Sequence, residues 1–366
     1  MEAFLRKRMR SRSARLALAL AAGSLIAPVL VLAHAPSAWA VDCGGLAFTN
    51  SIQYEMAFQA NTGNMCVFGT DQSADTQQGM MPGTNPSITT VAVTDSGCLH
   101  EEAFQANIGT LFVVGASQNE NTQQEMMPGT SPSITALTNG GFMVAFQGRN
   151  GDLYTYSSTT GATDVRLGMA PGTSPCITAL FNGGWEIAFQ ANTGDLWHYG
   201  TAGSGDDRLG MKAGTSPSIT VMTDGTYKIA FQANTGTLWT AGTTPGQGSL
   251  NLGMDNDTSP SITSLPDGGW AVAFQANTGT LWTTGTAPGI AFPLLTGNTG
   301  LAMKPGTSPA ISFNLEFDGF AYYTVAAQAN NGNLWTVGPN GNSSSFSEVD
   351  QSQGMDNDTS PAIVNN

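Results

Sequence analysis

The side chains that recur at fixed spacing in this sequence are aromatic rings and amides. A ring closes a Leu-x pair at Phe112, Tyr154, Trp197, Trp239, Trp282 and Trp335, and Cys66 takes the slot once. A second set, Trp185, Tyr227 and Trp270, opens an apolar stretch. That stretch ends in Gln-Ala-Asn, as in Gln190 with Asn192, Gln232 with Asn234 and Gln275 with Asn277. Rings of this kind cover apolar C–H surface, while amides bond hydroxyl groups. The combination suits a small polyhydroxylated ring such as a pyranose. Each residue type also has a plain structural use. Tryptophan fills wedges between packed sheets, and buried amides satisfy backbone groups.

Catalytic equipment is sparse. Past residue 40 the histidines are His100 and His198, at non-equivalent places in the pattern. There is no Gly-x-Ser-x-Gly elbow, phosphate loop or zinc-binding histidine pair. Two carboxylates could hydrolyse a glycoside, and Glu186 and Asp267 are the candidates, but nothing in their placement singles them out. The residues are read as non-catalytic, with no cofactor and no metal.

The elements that must carry these side chains are set by repetition. Ala-Phe-Gln-Ala-Asn-Thr-Gly, or a close variant, places its phenylalanine at Phe58, Phe104, Phe146, Phe189, Phe231 and Phe274, and a seventh copy has Ala327 in that slot. Thr-Ser-Pro-Ser-Ile keeps step, with prolines at Pro86, Pro132, Pro175, Pro217, Pro260, Pro309 and Pro361. Each unit reads as four short strands. The first is Ser-Pro-Ser-Ile-Thr. The second alternates, so that Trp185, Ile187 and Phe189 share one face and Glu186, Ala188 and Gln190 the other. Asn-Thr-Gly is a hairpin turn. Leu-Trp-Thr makes the third strand, and the fourth runs into Leu-Gly-Met. Units of about 42 residues with four antiparallel strands predict propeller blades. The last first-strand motif, at Pro361, has nothing after it, and the first second-strand motif, at Phe58, has none before it. The expected fold is therefore all-β: a seven-bladed β-propeller closed by a blade shared between the two ends of the chain, which also hides two strand edges.

In such a blade the turn between strands two and three lies at the same rim as the link to the next blade. Gln-Ala-Asn-Thr-Gly and Met-x-Pro-Gly-Thr-Ser crowd that rim, and they vary least between units. In two units the glycine of the link becomes Asp257 and Asp358. Aspartate tolerates left-handed backbone better than most residues, so the turn can be kept. Calcium binding by the same Asp-x-Asp pairs would need six or more oxygens, and no third carboxylate lies nearby in sequence.

Charge excludes some partners. The net charge is −14 over 366 residues. Six of the basic residues, Arg6 to Arg15, lie in the first 40 positions with one acid, so the remainder carries 6 basic and 25 acidic residues. That surface does not suit nucleic acid or anionic lipid. The basic segment, the apolar stretch from Leu16 to Leu32 and Ala38-Trp39-Ala40 read as a signal peptide over residues 1–40, cleaved before Val41. Residues 41–366 are then one secreted domain that does not insert into a membrane. Cys43, Cys66, Cys98 and Cys176 permit two disulfides in an oxidising compartment, with Cys43–Cys66 favoured by proximity in the chain.

Met-x-Pro-Gly-Thr-Ser-Pro-Ser-Ile followed by Ala-Phe-Gln-Ala-Asn-Thr-Gly-x-Leu-Trp resembles the repeat of the seven-bladed propeller lectins related to the Photorhabdus lectins, over residues 45–366. The resemblance implies a multivalent glycan-binding protein with sites between neighbouring blades, favouring fucose or O-methylated sugars and able to form homo-oligomers. The units around Phe189, Phe231 and Phe274 follow the pattern best, while Cys66, Phe112, Tyr154 and Ala327 depart from it. Two other readings remain: a scaffold for a protein partner, which predicts an exposed apolar patch, and a propeller hydrolase or lyase, which predicts one unrepeated cleft with close carboxylates.

Overall fold

A computed structural model describes residues 54–70, 72–94, 97–287, 296–317, 320–339 and 345–365. The proposed signal peptide and Cys43 lie outside the described residues. All described residues belong to one unit. They form seven four-stranded antiparallel sheets, arranged as a seven-bladed β-propeller. The blade around Phe189 is typical: Cys176–Ala179 innermost, then Trp185–Gln190, Asp195–Gly200 and Ser204–Gly210 at the periphery. Innermost strands of neighbouring blades pack against one another all the way round.

The closing blade is built from both ends. Ala362–Asn365 pairs with Tyr54–Gln59, matching Ala57 to Ala362 and Met56 to Ile363. Second-strand side chains alternate into the two blade interfaces. Phe58, Phe104, Phe146, Phe189, Phe231 and Phe274 are all buried at 1% exposure or less. Removing rings of this size from water is the dominant stabilising term.

Two devices hold neighbouring blades together. First, the methionine that ends each outer strand is buried and bridges to the next blade, as Met211 to Ala233 and Met254 to Ala276. The residue after it donates its amide to the glutamine carbonyl of that blade, as Lys212 to Gln232 at 2.9 Å. Secondly, the serine before each proline accepts the amide of its counterpart one blade back. Asn85 donates to Ser131, Ser131 to Ser174, Ser174 to Ser216, Ser216 to Ser259, Ser259 to Ser308 and Ser308 to Ser360, at 2.8–2.9 Å. Ser360 then donates to Oδ1 of Asn85, which closes the circle.

Asp257 and Asp358 have φ of 60°, where the equivalent Gly214 has 81°. The left-handed turn is thus kept with aspartate. One sequence expectation is corrected. Cys66 and Cys176 are free thiols, so the favoured Cys43–Cys66 bridge is not made. Cys66 pairs with Phe58 in the blade shared by the chain ends, and Cys176 lies on the innermost strand of another blade. Held in separate sheets, they cannot approach to the short Cα separation a disulfide needs. Cys98 is the described cysteine that is disulfide-bonded.

Candidate functional site

Across each blade, three residues form a row running outward on one face. Phe189 pairs with Trp197, and Trp197 pairs with Asp206. Phe231, Trp239 and Ser249 repeat the row, as do Phe274, Trp282 and Asn298. Cross-strand partners of this kind have side chains in contact range. The phenylalanine is core. Its ring centroid lies 6.4–6.5 Å from that of the tryptophan, with the planes 42–44° apart. The tryptophan is only half-buried. It packs against a core cluster that includes side chains of the preceding blade: Leu153 and Met169 for Trp197, Leu196 and Met211 for Trp239, Leu238 and Met254 for Trp282. Each ring therefore lines a seam between two blades.

The asparagine of the adjacent turn completes the seam. Asn192, Asn234 and Asn277 are exposed. Their amides donate to the carbonyls of Gly168, Gly210 and Gly253 on the preceding blade, at 3.0–3.2 Å. Their side chains lie directly over these glycines. A Cβ added to Gly168 would come within 2.3 Å of Asn192 Nδ2, and one on Gly210 within 2.5 Å of Asn234 Nδ2. Glycine in Leu-Gly-Met is thus a close-approach requirement. The indole N–H of Trp239 is held by Thr237 at 3.0 Å, and that of Trp282 by Thr280 at 3.1 Å.

The outer strand bulges opposite each ring, and the register shifts between Asp195 and Trp197 and at the matching place in the other blades. Within the bulge, Arg166, Arg208 and Asn251 sit at positive φ. The side chain two residues earlier accepts the amide: Asp164 that of Arg166 at 2.8 Å, Asp206 that of Arg208 at 2.7 Å, and Ser249 that of Asn251 at 3.1 Å. Such a local bond from Asp, Asn or Ser offsets the cost of a left-handed residue. Sequence inspection missed these residues. The available signal was an Asp, Asn or Ser recurring once per unit at this place, as at Asp75, Asn121, Asp164, Asp206, Ser249, Asn298 and Asp350.

The glutamines have a different task. Gln190, Gln232 and Gln275 are buried at 1% exposure or less. Their Nε2 groups donate to the carbonyls of Lys212, Asp255 and Lys304 in the link to the next blade. They are rivets within the fold and do not reach the open seam.

The second aromatic set is also kept apart. Trp185, Tyr227 and Trp270 begin the strands that Gln190, Gln232 and Gln275 end, so they sit at the opposite rim, roughly 16 Å away along the strand. Trp185 packs with Tyr199 at 5.6 Å between ring centroids, and Tyr227 is buried beside His198 at 6.2 Å. Trp270 carries the ammonium of Lys228 5.2 Å from its ring centre. Trp335 lines a seam but differs in detail, because its N–H goes to Asn331 and Ala302 replaces the glycine of the preceding blade.

The two carboxylates considered for hydrolysis lie in different blades. Glu186 is buried and accepts the amide of Ala202 at 3.1 Å, and burial pushes its carboxyl up to about 7. Asp267 accepts the amide of Gly269 in a turn. His198 pairs with Asp207 at 3.2 Å, and that bond raises its pKa. Among the described residues no cluster of three His, Cys, Asp or Glu side chains could hold a metal ion.

By fold the chain is a seven-bladed propeller whose half-open seams repeat around the ring. No protein-family model and no curated protein matches its sequence. In fold it is similar to AofleA from Arthrobotrys oligospora, with TM-score 0.53 at 11% identity over 89% of this chain and 96% of that one. It is also similar to the fucose-specific lectin from Aleuria aurantia, with TM-score 0.51 at 13% identity over 73% and 94%. The Aleuria lectin is described as six-bladed. At these identities the likeness is one of architecture.

Proposed function

We propose that this protein is a secreted, non-catalytic lectin that binds glycans multivalently in the seams between its blades. The observation that carries the reading is the repeated half-buried tryptophan flanked by an exposed asparagine and a bulge side chain. Such a surface offers an apolar ring face beside hydrogen-bonding groups, as a pyranose requires. The motif resemblance to the Photorhabdus lectins and the similarity in fold to a fucose-specific lectin favour fucose or O-methylated sugars. The N-terminal targeting pattern supports secretion. Several weak sites on one ring gain from avidity when they engage one glycan-bearing surface.

A docking scaffold would present a contiguous apolar patch. The large exposed hydrophobics among the described residues are Leu99, Ile108 and Val349. The first two lie near opposite ends of one blade, and the third is on another, so they form no such patch. The test of the lectin reading is a glycan array with the mature protein, followed by calorimetry on the hits. Trp239→Ala or Trp282→Ala weakens binding roughly tenfold or more at its own site, given the ring area withdrawn. Failure to bind any glycan at high protein density overturns the reading.

A further inference from the structure

The side chain opposite each third-strand ring is free in some blades and spent in others. Asp75 receives Nδ2 of Asn64 on both its oxygens at 3.1 Å, beside a slot where Cys66 supplies no ring. Asp164 accepts the hydroxyl of Tyr154 at 3.1 Å. Asp350 is bonded by Asn331 and Asn333 at 3.0–3.2 Å. Opposite Phe112, Asn121 uses Oδ1 on the amide of Gln123 and keeps its Nδ2, but the ring there is a phenylalanine, which has no N–H and lies flatter on Phe104, at 25° and 5.4 Å.

The rows of Trp197, Trp239 and Trp282 are different. Asp206 uses Oδ1 on the amide of Arg208, and its second oxygen has no partner. Asn298 uses Oδ1 on the amide of Gly300, which leaves its Nδ2 as an unused donor. Ser249 accepts from Asn251, which leaves its hydroxyl hydrogen to donate. Asp206 and Asn298 are both exposed, beside half-buried tryptophans.

We propose that this outer-strand side chain reads the sugar's hydroxyl groups, and that it is free to do so beside a tryptophan in three consecutive seams, those of Trp197, Trp239 and Trp282. The inference rests on the carbohydrate reading above. It makes the three sites chemically unequal. A carboxylate oxygen only accepts, so the Asp206 seam demands a free sugar hydroxyl. An ether oxygen accepts but cannot donate, so the donors on Ser249 and Asn298 tolerate an O-methylated sugar. The propeller then binds along one arc: the seams of Cys66, Tyr154 and Trp335 are closed by their own hydrogen bonds, and that of Phe112 lacks the indole.

The experiment is calorimetry on the mature chain with L-fucose and with its fully O-methylated ether, alongside NMR of the indole N–H groups. Three sites per chain for fucose and two for the ether are expected. The indole signals of Trp197, Trp239 and Trp282 shift, and that of Trp335 stays. Asp206→Asn keeps the oxygen that holds Arg208 and adds a donor, so it raises the ether count to three. A fucose stoichiometry near seven, movement of Trp335 with the others, or no change with Asp206→Asn overturns the inference while the lectin reading stands. Absence of binding to any glycan on the array overturns both.

Discussion

The backbone amide of Ser360 donates to Oδ1 of Asn85 at 2.6 Å, across 275 residues of chain. Six serines and this one asparagine make a closed belt of hydrogen bonds around the propeller. Asn85 stands where the other units have serine, at the join between the first complete unit and the last. The belt ties the two ends of the chain through side chains, next to the backbone pairing of Ala362–Asn365 with Tyr54–Gln59.

Removing the Asn85 acceptor opens the belt at that join. Asn85→Ala leaves the amide of Ser360 without its partner, in a partly buried position. A cost of about 1–3 kcal/mol is expected. It would be read as a lower urea midpoint, and Asn85→Ser should recover part of the loss. A midpoint unchanged by Asn85→Ala would show that the belt adds nothing to closure.

Stability should fall as the solution turns alkaline. Glu102 is buried, and desolvation, reinforced by Glu101 and Glu55, raises its carboxyl from 4.5 to about 8. The folded form holds this proton at neutral pH, whereas the unfolded chain releases it near 4.5. The contribution is therefore complete below about 4.5 and drains away as pH rises towards 8. Glu186, raised to about 7 by burial, adds in the same direction. Thermal midpoints recorded between pH 5 and 8.5 should decline, and Glu102→Gln should flatten the decline.

The glutamine rivets should matter to folding. Gln232→Ala removes the donor to the Asp255 carbonyl and opens space at a fully buried position. Together these should cost roughly 2–4 kcal/mol. Denaturant unfolding of this variant beside Asn234→Ala, whose side chain is exposed, separates rivet from rim. The rivet assignment fails if the exposed variant is the less stable one.

Thiol chemistry offers an independent check on the fold. Burial, with a contribution from Asp75, raises the Cys66 thiol to about 11, and burial raises that of Cys176 as well. Thiolate is the reactive form, so a neutral maleimide or disulfide reagent should label the native protein slowly. Unfolding without reductant should expose Cys66 and Cys176 to alkylation while Cys98 stays protected. Mass mapping that finds Cys98 alkylated under those conditions contradicts the disulfide at that position.

The repeat made the architecture legible in advance. Paired motifs in step give the blade, its four strands and the rim where turns and links meet, and the unmatched motifs around Phe58 and Pro361 give the shared blade. These are local patterns, with period two in the strands and glycine or aspartate at left-handed turns, and local patterns survive reading in one dimension. Even the substitution of glycine by Asp257 and Asp358 followed from backbone preference alone.

What each candidate side chain faces was decided only in three dimensions. Trp185 and Trp197 are close in sequence and both aromatic, yet they lie toward opposite ends of one blade because a hairpin separates them. Gln190 and Asn192 belong to one motif, but the first ends a buried strand and the second lies in the exposed turn that follows it. The bulge that presents Asp206 beside Trp197 arises from pairing between strands, and the seam itself needs the next blade. Sequence names the residue types, whereas burial, hydrogen-bond competition and the contact between blades assign each of them to core, rivet or open surface.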